Sequence, residues 1–429
     1  MTGMETENKT LTSHLIRYTA RFGTLLLLFL LIWGCAAVPR LEEGTGGTYL
    51  RLPFVRVLID NGKSTMSITA PGQFSVECLR GGKSYVYYAS RSVTIRADAG
   101  RVSVATSSGK IGDRFDEVLL TPRSDKQHLS YIGHRYRGVF RVIPHNRNLR
   151  LINVVHMDDY LKGVVPPEIG FTKEAELEAI KAQAVAARTY SMSHLSQYID
   201  EPYDLKSDVS DQVYHGVEVE NAVVSRAVEA TRGYVLKYRD ELINAYYHST
   251  CGGYTDDVDE VWDKKSTPYL RAVPDSGFCS WSKYYTWKES YSVKQLKLRL
   301  EEYLSSERGR VVRLGKIVDM NIVGRTAGGR VARMKIETSD GSYTVGSDKI
   351  RWVFTRSSNP ELILQSARFD LKKTYDGSRR LTRVDFIGGG YGHGVGMCQC
   401  GAIGMARAGR AYEQILKHYY RNVDLVKLY

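Results

Sequence analysis

The sequence is short of acid, of phenylalanine and of cysteine, and it lacks the common nucleotide and nucleic-acid signatures. Aspartate and glutamate number 47 against 60 lysines and arginines, a formal charge of +13. That balance favours an acidic partner: nucleic acid, an anionic membrane surface or a carboxylate-bearing polymer. No nucleic-acid module is present, and no basic run is interleaved with aromatics, so no nucleic-acid partner is expected. Residues 388–401 hold seven glycines in fourteen positions, but the spacing is not GxxxxGK[ST], no lysine follows, and GxGxxG is absent from the loop. A phosphate-binding loop is thereby set aside. Phenylalanine occurs 11 times against 29 tyrosines, which gives many flat apolar faces with a hydrogen-bonding tip. Such rings suit sugar stacking and, equally, half-buried strand positions. The remainder is ordinary globular composition, 43% hydrophobic and 25% charged over 429 residues, with room for two or three domains.

Residues 1–35 read as a targeting segment. Arg17 and Arg21 form its positive flank, 25–33 a short apolar stretch, and Gly34-Cys35 closes it. Ile32-Trp33-Gly34-Cys35 resembles a bacterial lipobox, in which Cys35 is acylated and becomes the mature N-terminus. Trp33 departs from the small residue usual at that place, and residues 22–38 are just long enough to stay as an uncleaved anchor. Both readings put the bulk of the chain outside the cytoplasm and tie it to the membrane. Residues 36–48, with the polar EEGTGG, form a linker. From 49 to 146, VRVLID, SMSITA, SVTIRA and RVSVAT alternate apolar and polar positions between Gly, Asn and Ser breaks. An accessory, mainly-β domain is expected there, with Cys78 its lone cysteine and no chemistry assigned.

The pattern changes near residue 147. In YLKGVVPPEIGFTKEAELEAIKAQAVAARTYSM (160–192), Val165-Pro166-Pro167 predicts a turn that delivers Glu168 to the mouth of a helix. Thr172 is the expected N-cap, with Glu174 and Glu176 in the first turn. Lys181, Ala184 and Arg188 share a face of the Ala-rich helix that follows. One acid before a rigid helix, with an arginine further along it, is a catalytic arrangement. A solvated Glu168 and a surface Arg188 are the plain alternative. A helix at 222–231, strands at 234–238 and 243–250, a helix at 292–306 and alternating segments through 314–378 complete an α+β chain.

YLKGVVPPEI, AIKAQAVAARTYS, YHSTCGGYT, GRVARMKI…IRWVF and GGGYGHGVGMCQCGA, in this order, resemble the SpoIID/LytB family over roughly residues 146–425. The resemblance implies a SpoIID-like catalytic domain at 147–429, built around a glycan cleft. It also implies extracytoplasmic action on peptidoglycan glycan strands. In the sporulation branch that action is lytic transglycosylation of peptide-stripped strands, and in the other branch it is enhancement of a partner cell-wall amidase. Glu168 occupies the place of the family's catalytic glutamate. Arg188 is then expected on a muramic lactyl carboxylate. Tyr247, His248 and Ser249 are expected to line the groove, and Tyr391, His393, Met397 and Gln399 to face the same cleft. Each of these residues also has a plain structural reading. No cofactor is required. For the cysteines a Cys251–Cys279 disulfide is the preferred reading in an oxidising envelope. The alternative is a zinc site from Cys251, Cys279 and Cys398, with His248 or His393. The His/Cys zinc cluster that some relatives carry has no cysteine at the matching 207–212.

Overall fold

The computed structural model describes residues 53–195 and 197–429, so the targeting segment with Cys35 and the linker lie outside the described residues. Alternation becomes strand where one face is buried. Thr65–Thr69 buries Met66 and Ile68 and exposes its other three side chains, and Arg101–Thr106 buries Val102 and Val104. The strands assemble into a seven-stranded sheet and a six-stranded sheet. Val57, Phe74, Phe140 and Val142 of the first meet Met66, Ile68, Ile95 and Val104 of the second in one core.

Asn148–His156 lies antiparallel to Phe54–Lys63, with Asn153 opposite Val57. The turn at residues 146 and 147 joins two neighbouring strands of the seven-stranded sheet, the second of which leads straight into helix α1 (Met157–Ile169). The same core takes in Tyr160, Leu161 and Val164 of α1, Ala184, Val185 and Ala187 of α2 (Leu177–Ser193), and Val224 and Val228 of α3 (Ala222–Ala230). Buried almost all round, α2 lets its neighbours approach closely because its side chains there are small. A second core gathers Leu296, Leu300 and Leu304 of α4 (Val293–Arg308) against Met320, Met334, Val384 and Phe386. Helices α5 (Gln399–Arg407) and α6 (Tyr412–Tyr419) precede a last strand, Asp424–Lys427, which pairs antiparallel with Tyr234–Tyr238. The class is α+β: sheets first, then helices with further sheets. Among the described residues no helix is long and apolar enough to cross a membrane.

Three local expectations are corrected. Val165-Pro166-Pro167 is the last part of α1 and not a turn before a helix. Pro167 has no N–H for the Gly163 carbonyl four residues back, and the His215 N–H donates to it instead, at 3.2 Å. Gly170, at φ +72°, then ends the helix, its N–H bonded to the Pro166 carbonyl at 3.0 Å. Thr172 caps nothing. A 3₁₀ turn, Glu174–Glu176, precedes α2, and the Glu176 carboxylate takes the Lys173 N–H at 3.1 Å. Of the strand expected at 243–250, only Tyr247–His248 forms, parallel to Met397–Cys398.

Candidate active site

Glu168 sits in the last turn of α1, half-buried. Gly163, one turn earlier, has no side chain, and a Cβ there would lie 2.6 Å from the Tyr214 ring and 2.9 Å from the Gly216 carbonyl. That close approach presses the 213–216 segment onto the helix and brings the Val213 N–H to Glu168 Oε1 at 2.8 Å. Burial pushes the Glu168 carboxyl from its ordinary 4.5 up to about 7, against the opposing pull of that one N–H. Its place at the negative end of the α1 dipole acts in the same direction as burial.

The groups beside it are joined through Gln212. Its Oε1 accepts from the Tyr160 hydroxyl at 3.1 Å and from Ser191 Oγ at 2.7 Å. Its Nε2 donates to the Tyr247 hydroxyl oxygen at 3.0 Å. The charge of Glu168 acts on both tyrosine hydroxyls. Because Tyr247 accepts from Gln212, its own proton is left to be donated, and the side chain is only half-buried. One carboxyl group that holds a proton near neutrality beside a phenol donor is a general acid–base arrangement.

The other candidates divide. Arg188 is fully buried, 2.8 Å from Asp158 Oδ1, and it also donates to the Tyr234 and Val228 carbonyls. It has no open face for a sugar carboxylate, and that expectation is corrected. His393 takes the Val395 N–H on Nδ1 at 3.1 Å and holds the Tyr247 carbonyl through Nε2 at 2.9 Å, so it pins the glycine loop to the strand of Tyr247. Burial lowers it to about 4, which keeps it neutral. His248 is buried, with Nδ1 3.2 Å from the Val395 carbonyl and Nε2 without a partner. Met397 is fully buried and belongs to the core. Gln399 donates to Gln183 on α2 at 3.4 Å. Ser249 lies 3.3 Å from the Thr250 hydroxyl, and Tyr391 packs its ring at a tilt against Tyr284 and accepts from Arg356.

The glycine-rich loop approaches backbone: Gly390, Tyr391 and Gly392 donate to the carbonyls of Tyr284, Thr250 and Gln365 at 2.7–2.8 Å. Gly396 shows why glycine is needed there, since at φ +71° a Cβ would lie 2.0 Å from the Tyr246 carbonyl. Cys251 and Cys279 are free thiols, their sulfurs 3.5 Å apart, so the preferred disulfide is corrected. With Cys398 and Asp275 they form a buried group able to hold a metal ion. Neither histidine belongs to that group.

Sequence reasoning missed Gln212 and Asp275. Gln212 is a lone amide in a segment read only for its lack of cysteine. Asp275 lies four residues before Cys279, and that spacing was its only signal.

Residues 145–238, which hold Glu168, Arg188 and Gln212, match the SpoIID model, described as stage II sporulation protein. The stage II sporulation protein D of Bacillus amyloliquefaciens is 30% identical over 286 residues, 63% of this chain and 74% of that protein. The chain belongs to the SpoIID family. The amidase enhancer of Bacillus subtilis (strain 168) is 32% identical over 372 residues, 77% of this chain but 50% of that protein, so the match spans half the relative's length. An uncharacterized protein of Brachyspira hyodysenteriae (strain ATCC 49526 / WA1) is 34% identical over 295 residues, 68% of this chain and 73% of that protein. Residues 276–396 of this family member match a second model, a domain of unknown function (DUF8618). The interval between the two matches, 239–275, carries Tyr247, Cys251 and Asp275.

Proposed function

We propose that this SpoIID family member is a peptidoglycan lytic transglycosylase acting on peptide-stripped glycan strands in the cell envelope. The observation that carries the reading is Glu168: one carboxyl, half-buried, held by one N–H and raised to about 7. Hydrolysis by water commonly uses two carboxyl groups, whereas internal transfer needs one. Glu168 donates its proton to the leaving glycosidic oxygen as the bond from C1 breaks. The resulting carboxylate takes the proton of the muramic C6 hydroxyl, whose oxygen closes on C1 and leaves a 1,6-anhydro end. Tyr247 hydrogen-bonds the substrate beside the reacting oxygen. No cofactor enters these proton transfers. The surplus of base favours a strand that keeps one carboxylate per disaccharide, and the lipobox-like Cys35 supports a membrane-anchored, extracytoplasmic location.

Glu168→Gln keeps size but cannot donate the proton. It should leave strand binding intact and lower turnover by roughly 10²–10⁴-fold. Wild-type activity should fall as pH rises through about 7, where the acid loses its proton. Turnover of the variant at the wild-type rate overturns the assignment. The match to the amidase enhancer over 77% of this chain favours a second reading, a glycan-binding activator of a cell-wall amidase. Binding without anhydro-muramic ends from either form, with stimulation of an added amidase, selects that reading.

A further inference from the structure

We propose that Cys251, Cys279, Cys398 and Asp275 form a closed structural zinc site, three thiolates and one carboxylate around a single ion. The four ligand atoms lie within 4.8 Å of one another, and all four residues are completely or almost completely shielded from solvent. A tetrahedral zinc with Zn–S of about 2.3 Å sets its sulfurs about 3.8 Å apart, near the 3.5 Å between Cys251 and Cys279.

The backbone around the sulfurs is arranged for thiolates. Cys398 takes the N-cap place of α5, and its sulfur accepts N–H groups from Gly401 and Cys251, each at 3.2 Å. The Cys251 sulfur accepts from Gly253 at 3.4 Å, across a turn that Gly252 enters at φ +76°. A thiol is a weak acceptor, so three N–H groups aimed at two sulfurs match charged sulfur. Asp275 accepts from the Cys279 N–H at 2.6 Å and the Tyr419 hydroxyl at 3.0 Å, one on each oxygen. Each oxygen keeps a lone pair for an ion. No lysine or arginine pairs with Asp275 among the described ion pairs, so its buried charge lacks a cation.

Zinc suits this set because sulfur-rich tetrahedral sites select it and its chemistry is not redox-active. Binding releases three thiol protons and leaves the site two units negative, a charge that the N–H donors and the tyrosine hydroxyl stabilise. Four protein ligands leave no open position for water, so the ion is structural. Its effect reaches the active site through one strand pair, in which Cys398 lies opposite His248 and Met397 opposite Tyr247. The ion thus fixes the strand that presents Tyr247, whichever reaction the site performs.

The test uses the full chain purified under reducing conditions without chelator. Elemental analysis should find one zinc per chain. Cobalt reconstitution should give thiolate-to-cobalt charge-transfer bands with a tetrahedral visible spectrum, a readout that requires no variant to fold. Cys279→Ser and Cys398→Ser should lose the metal, and Asp275→Cys should keep it with a stronger charge-transfer band. Stripping the ion should lower the melting temperature. Absence of stoichiometric metal and of the cobalt bands overturns the proposal, as does a Cys251–Cys279 disulfide in unreduced peptide maps. An unchanged melting temperature after stripping overturns the structural role.

Discussion

At the start of α1, Asp158 is 4% exposed and meets Arg188 at 2.8 Å, with the Tyr429 hydroxyl 3.1 Å from the same oxygen. At the end of the same helix, Glu168 is half-buried and accepts one N–H, from Val213 at 2.8 Å. The first acid lies where the helix dipole favours its charge and the second where the dipole opposes it. Charge at the first end is matched by a guanidinium and closed off from any ligand. Charge at the second is left nearly uncompensated, beside a phenol whose proton is not engaged. Both are carboxyl groups on one helix, so their surroundings separate a charge-paired acid from one that holds its proton near neutrality.

Breaking the matched end should have the largest effect. Arg188→Ala leaves Asp158 buried with its main partner gone, and loss of one member of a buried pair costs about 3–5 kcal/mol. Arg188→Lys should recover little, because an ammonium cannot reproduce the bonds to Asp158, Tyr234 and Val228 together. Removing both charges, as Asp158→Asn with Arg188→Met, should cost less than Arg188→Ala alone. Urea unfolding measures all three. A loss below about 1 kcal/mol for Arg188→Ala would mean that the pair does not hold α1 to α2.

Removing the charge at the unmatched end should act the other way. The unfolded carboxyl ionises near 4.5 and the folded one near 7, so between those values the native state keeps a proton that the unfolded chain has lost. Native stability therefore falls as pH rises through this window and levels off above it. Glu168→Gln has no such group. Its advantage over wild type should be absent at pH 4 and reach about 2–4 kcal/mol at pH 8. Equal stabilities at pH 8 would mean that the carboxyl is not held in a desolvated place.

Much of this was legible in the sequence, and the division follows the range of the interaction. Period-two alternation located Thr65–Thr69 and Arg101–Thr106, and the alanine run located α2, because those signals are local. Glu168 stood out by its motif and its apolar neighbours. What gives it a raised pKa and a neighbour was not, since Val213 lies 45 residues away and Tyr247 joins through Gln212, 35 residues before it. Arg188 read as a free arginine for the same reason: Asp158 is 30 residues back, on another helix. The two prolines misled because their stiffness was weighed without the His215 N–H that replaces a missing donor. Asp275 fell outside the cysteine count because a carboxylate carries no spacing rule of its own.

The smallest expected effect sharpens the comparison at the unmatched end. Gly170 ends α1 two residues after Glu168, at φ +72°, and a Cβ there would meet nothing within 4 Å. Gly170→Ala therefore tests backbone strain alone and should cost about 1 kcal/mol, with Gly170→Asn costing less because asparagine tolerates the left-handed region. Thermal melts measure the difference. The pH midpoint of turnover then separates two origins of the Glu168 environment. Should burial and the Val213 N–H hold the carboxyl, both variants will keep a midpoint near 7 despite the lost stability. A midpoint that drifts toward 4.5 in Gly170→Ala would show that the cap itself keeps the last turn of α1, and the acid on it, out of water.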